Sequence, residues 1–68
     1  MELVFEVAQD SEEGFSAECL SEDIFTEADN WEGLKVSVKE AVECHFFDSK
    51  EKPKSIRLHL VRDEVLTA

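Results

Sequence analysis

Apolar residues recur at two different periods along this chain, and the change of period divides it into elements. Leu3, Phe5 and Val7 alternate with Glu2, Val4 and Glu6, the period of two that marks a half-buried strand. The polar run Gln9-Asp10-Ser11-Glu12-Glu13-Gly14 reads as a hairpin loop closing on glycine. Phe15, Ala17 and Cys19 resume the alternation, Ser21-Glu22-Asp23 interrupts it, and Ile24-Phe25-Thr26 predict a short third strand. The spacing then lengthens. Trp31, Leu34, Val38, Ala41 and Val42 fall on one face of a helix running from Trp31 to about Phe47. Asp29 stands three residues before Glu32, the spacing of a capping box, while Asn30 is the rival N-cap and would leave Glu32 in a first turn whose dipole favours it. Gly33 weakens this helix by about 1 kcal/mol relative to alanine. Asp48 to Lys54, with Pro53, reads as a loop. Ile56, Leu58 and Leu60 then alternate with Arg57, His59 and Val61 as a fourth strand, and residues 62–68 form a tail without a clear pattern.

The order βββαβ predicts one α+β domain over residues 1–68, a two-layer sandwich with one helix packed on a four-stranded sheet. Three antiparallel strands in a meander, followed by a helix that returns strand four beside strand one, is the simplest arrangement. The connection is right-handed if those two strands are parallel. The helix should cover Leu3, Phe5, Val7, Phe15, Ala17, Cys19, Ile56, Leu58 and Leu60. The other sheet face would carry Val4, Glu6, Glu18, Leu20, Arg57, His59 and Val61, with Glu6 near Arg57 and His59. Nothing in the chain covers that half-apolar face, so Val4, Leu20, His59 and Val61 are candidate self-association residues.

Charge changes this picture from a fold to a function. Residues 1–32 hold 11 acidic residues and no Lys or Arg, whereas residues 33–68 hold 6 acidic and 7 basic residues, so the net charge of −10 is concentrated in the first half. Such a field attracts cationic partners and repels phosphate backbones, which excludes direct nucleic-acid binding as the first reading. The bland reading of the same acids is a solvated, solubilising surface. At 68 residues the chain buries only about 60% of the surface its unfolded form exposes. An oligomer, dimer or higher, is the expected supplement to so thin a core. Two cysteines without a signal-peptide pattern predict free thiols in a reducing cytoplasm, and no run approaches the length of a membrane span.

Taken together, Phe5-Glu6-Val7, Asp10, Gly14-Phe15, Ala17, Leu20, Ile24, Thr26, Asp29-Asn30 with Glu32, and Glu40-Ala41 resemble the HicB-like antitoxin family over residues 3–42. Ile56 to Val65 resembles a short, stand-alone branch of it. The resemblance implies a partial ribonuclease-H-like βββαβ fold. It also implies a small basic RNA-cleaving toxin as partner, neutralised by steric cover of its RNA-binding face. The chain departs from the family where Glu13 stands in place of the first of two hairpin glycines and where Asp23, Ala28 and Gly33 replace its usual residues. Family members usually continue into a DNA-binding segment, which this sequence, ending at Ala68, does not show, so self-repression of an operon is not expected.

The candidate chemistry is thin. A ribonuclease-H-like nuclease needs carboxylates converging from strand one, the helix and strand four, but here Leu3, Phe5, Val7, Ile56, Leu58 and Leu60 occupy the facing positions. Cys19, Cys44, His45 and His59 lack metal-ligand spacing, and Cys44 and His45, adjacent on a helix, point about 100° apart. His45 reads as a core or helix-capping residue and Cys19 as a small core residue. No catalytic residue, metal or cofactor is therefore expected. The reading is a HicB-like antitoxin or antitoxin-derived protein-binding module, with Asp10, Glu12, Glu13, Glu22, Asp23 and Glu27 as candidate partner-binding residues. The alternatives are an orphan oligomeric protein of structural or regulatory role, and a small-molecule-binding module formed at an oligomer interface.

Overall fold

Strand β1 (Glu2–Gln9) is the interior of the sheet and the source of its core: Leu3, Phe5 and Val7 are each no more than 1% exposed. The computed structural model describes residues 1–10, 12–62 and 64–68. After β1 come β2 (Phe15–Cys19), β3 (Phe25–Ala28), helix α1 (Trp31–His45) and β4 (Ser55–Val61). The sheet has the order β3-β2-β1-β4. β1 pairs antiparallel with β2 and parallel with β4, and β2 pairs antiparallel with β3. This is the α+β arrangement that the period change implied, with strand four beside strand one.

The registers explain the two faces. Phe5 lies opposite Cys19 and Leu58, and Val7 opposite Ala17 and Leu60, so apolar side chains form continuous rows on the helix side. Leu34, Val38, Val42 and Phe46 descend onto them from α1 and complete the buried core. The third strand begins one residue later than the alternation suggested. Ile24 precedes β3, is buried, and uses its carbonyl to accept the Cys19 N–H at 2.9 Å, so it serves as a core plug at the turn. The helix likewise ends at His45, with Phe46 as the C-cap.

Asn30 is the N-cap. Its backbone is extended, and its side-chain oxygen accepts the Gly33 N–H at 2.7 Å. Glu32 sits in the first turn and pairs with Lys35 at 3.0 Å. Gly33, a weakness by propensity, has a packing reason: an added Cβ would lie 3.1 Å from the Asn30 oxygen and 3.6 Å from the Ala28 Cβ. The link from Ala28 to Trp31 is so short that the first helical turn rides directly on β3.

That short link also displaces the helix. α1 packs on β3 and β2, and its contact with the sheet fades toward β4. The expected cover of β4 is therefore incomplete: Ile56 and Leu58 are half-buried and Leu60 is 45% exposed. The cap makes a direct test. Asn30→Ala should lower stability by about 1 kcal/mol, a fall in Tm of several degrees for a domain of this size, while Asp29→Ala should stay within about 0.5 kcal/mol. Thermal unfolding of both variants checks it, and a larger loss at Asp29 would contradict the assigned cap.

Candidate functional site

The loop between β1 and β2 is built around one carboxylate. Asp10 Oδ1 accepts the N–H of Glu12 and of Gly14, each at 2.9 Å, while the Asp10 N–H donates to the Gly14 carbonyl at 2.8 Å. These bonds close the loop and turn Glu12 and Glu13 outward to solvent. Glu13 takes a φ of 69°, the left-handed region that glycine occupies without cost. Gly14 has no room for a side chain, because a Cβ there would stand 2.8 Å from Asp10 Oδ2.

Across from this loop, the end of β3 and the residue after it bring two more carboxylates close. Asp10, Gly14, Phe15, Glu27, Ala28 and Asp29 line an open cleft of about 370 Å³. Phe15 is the aromatic residue of its lining, and its ring meets Trp31 edge-on with centroids 5.5 Å apart. Among the described residues no Lys, Arg or His side chain lines this cleft. Carboxylates beside an aromatic ring suit a lysine or arginine side chain, whose stem can pack on the ring while its head meets the carboxylates.

The six acidic residues singled out from the sequence are divided by the fold. Asp10, Glu12, Glu13 and Glu27 gather at the cleft end of the sheet. Glu22 and Asp23 lie in the turn at the other end of β2. Glu22 is moreover engaged: its carboxylate stands 3.1 Å from His45 Nε2. This corrects the expectation of a core histidine, because His45 is exposed and serves as a surface partner at the last turn of the helix, the end whose dipole favours a cation. Asp29 belongs to the cleft; the sequence marks it as a candidate cap and as one of the acids of the first half, but not as a partner-binding residue. With Asn30 taking the cap, the Asp29 carboxylate makes no hydrogen bond or ion pair among the described residues.

The outer sheet face holds Val4, His59 and Val61, with Leu20 just past β2 donating its N–H to the Val4 carbonyl at 3.0 Å. Glu6 lies opposite Glu18 on one side and His59 on the other. Arg57 pairs with Glu2 at 3.4 Å and not with Glu6. Cys19 is buried on the helix side, away from the outward His59, and Cys44 is exposed. Among the described residues no three His, Cys, Asp or Glu side chains converge as a metal site, and no helix is long and apolar enough to cross a membrane.

Comparison with known proteins adds a family name. The chain is 44% identical over 48 residues to a UPF0150 protein of Archaeoglobus fulgidus, covering 71% of each chain. It is 34% identical over 62 residues to a UPF0150 protein of Thermotoga maritima, covering 91% of this chain and 86% of that one. No family model matches, and no solved structure matches.

The strained loop position gives a prediction separate from any partner. Glu13→Gly should leave the fold intact and raise stability by about 0.5–1 kcal/mol, the left-handed penalty less the extra freedom of glycine when unfolded. Gly14→Ala should lower it, because the new Cβ displaces the Asp10 carboxylate. Denaturant melts of the two variants should therefore move in opposite directions.

Proposed function

The chain belongs to the UPF0150 family, and from that premise we propose that it is an antitoxin-type binding module whose acidic cleft and hairpin loop dock a small basic RNA-cleaving protein. One observation carries the reading: Asp10, Glu27 and Asp29 share a cleft that no cation lines among the described residues, with Glu12 and Glu13 exposed on the loop beside it. The sequence resemblance to HicB-like antitoxins supports it from a separate direction.

The mechanism is steric and electrostatic. A ribonuclease that binds RNA through lysines and arginines presents cations spaced to meet phosphates. The carboxylate cluster offers those cations a substitute, and the sheet behind it blocks approach of the RNA. Steering by the acidic half accelerates encounter, by up to about a hundredfold or more over a neutral pair at low salt. A cationic side chain seated against Phe15 between Asp10, Glu27 and Asp29 slows dissociation. The chain supplies cover and no chemistry.

The test begins by tagging the protein in its own host and identifying what co-purifies. A small basic protein whose RNA cleavage stops when this chain is added is the expected result; recovery of the chain alone at every concentration counts against the reading and favours an orphan oligomer. With a partner in hand, Glu12→Lys with Glu13→Lys should slow association about tenfold or more at low salt. The difference should shrink as ionic strength rises. An unchanged rate of association would remove steering from the mechanism.

A further inference from the structure

The helix-side edge of β4 is unfinished, and the end of the same chain has the composition to finish it. β4 is the outermost strand of the sheet beyond β1, so one of its backbone edges is unpaired. Beside that edge Lys35, Val38, Lys39, Ile56 and Leu58 line a groove of about 150 Å³, room for one aliphatic side chain. The floor is apolar and the rim is basic, in a chain whose net charge is −10. Lys35 is held by Glu32 at 3.0 Å, and among the described residues Lys39 makes no ion pair. The segment that follows β4 shows the opposite pattern. Glu64 precedes Val65 and Leu66, which are 95% and 81% exposed and are the most exposed large apolar residues apart from Phe47, also 81%.

We propose that two copies of this chain exchange these arms, each laying its segment Glu64–Ala68 antiparallel along the β4 edge of the other. Directly opposed residues of antiparallel strands share a face. An arm laid so that Leu66 shares the helix side with Leu58 and Leu60 also puts Glu64 on that side, because residues two apart on a strand share a face. Leu66 of one copy therefore enters the groove over Ile56 and Leu58 of the other, and its Glu64 reaches the lysine rim. The contact is made twice about a two-fold axis, so it closes on a dimer. It pairs a bare edge and joins Glu64 to the lysine rim, gains set against the approach of Arg62 to its symmetry mate near the two-fold axis.

Charge also selects this occupant over the rivals. Docking two β4 edges without the arms would face Arg57 and the lysine rim of one copy with those of the other. Docking the outer sheet faces would bury Glu6 beside Glu18 with only His59 adjacent to Glu6. An unrelated partner would need the acidic-apolar pattern that the arm already has. The proposal is independent of toxin binding, because the arm and groove lie on the opposite edge of the sheet from β3 and the cleft.

Sedimentation over a concentration series tests it on the full chain. The native chain should be dimeric. Leu66→Glu, at an exposed position whose change leaves the monomer fold untouched, should weaken dimerisation by more than about tenfold. Lys39→Glu and Glu64→Lys should each weaken it, and the double exchange should restore it. A native chain that stays monomeric, or a dimer that Leu66→Glu leaves intact while Leu20→Glu dissociates it, overturns the proposal. Copy exchange is separated from folding back within one chain by oxidising Leu58→Cys with Leu66→Cys in a Cys44→Ser background. Disulfide-linked dimers are expected, and a purely intramolecular link would overturn the exchange. Retained inhibition of a co-purified ribonuclease by monomeric Leu66→Glu would show that the two surfaces are separate.

Discussion

One helix has to cover a four-stranded sheet, and it is too narrow to do so. Strands spaced about 4.8 Å apart make a surface wider than the roughly 10 Å a helix spans with its side chains. Where the helix sits is decided by its leash: only Asp29 and Asn30 separate β3 from α1, whereas residues 46–54 separate α1 from β4. The tight end wins. Trp31 is pulled onto Phe15, Gly33 is pressed toward Ala28, and the inward row of β4 is left half-covered. The Phe15–Trp31 contact beside the acidic cleft and the open groove beside β4 are two consequences of this one displacement, toward opposite edges of the sheet.

How much of this could be read from the residues depends on range. Elements were legible because each is governed by neighbours: the alternation of Leu3, Phe5 and Val7, the helical spacing of Leu34, Val38 and Val42, and the alternation of Ile56, Leu58 and Leu60 each state a period. Topology followed because the parallel partner of β1 had to arrive after the helix. Boundaries slipped where a side chain is buried by a turn rather than by a strand, as at Ile24, or where two adjacent residues could both cap, as at Asp29 and Asn30. His45 lies on the apolar arc of the helix, yet its partner Glu22 lies in the β2–β3 turn, a contact no local pattern encodes. The same holds for the cleft. Asp10, Glu27 and Asp29 come from three segments, and only the pairing of Phe15 with Ala28 brings them to one place.

The electrostatics of the sheet separate residues that the fold uses from residues it merely tolerates. Asp10 is used, since its carboxylate closes the hairpin loop, and so are Glu2 with Arg57 and Glu22 with His45. Glu6 opposite Glu18 is tolerated: like charges directly across an antiparallel pair oppose folding, and solvent exposure is what keeps the cost small. The carboxylates of Glu12, Glu13, Glu27 and Asp29 fall in neither group. Among the described residues they make no hydrogen bond or ion pair, and they crowd one end of a chain that already carries a charge of −10.

A domain of this size has only a few kcal/mol of stability to spare, and self-repulsion of that kind is drawn from it. Glu13 holds a left-handed backbone and an unneutralised charge, against which its N–H donates to the Asp10 carbonyl at 3.2 Å in the loop. Several small costs are borne together at one end of the molecule, and the buried core outweighs them. Salt supplies some relief by screening, and it does so for any surface carboxylate. A cationic partner of the kind proposed would supply more, because it would neutralise the cluster at close range beside the Phe15 ring. The cleft is thus the place in this fold where these local costs and a complementary shape coincide.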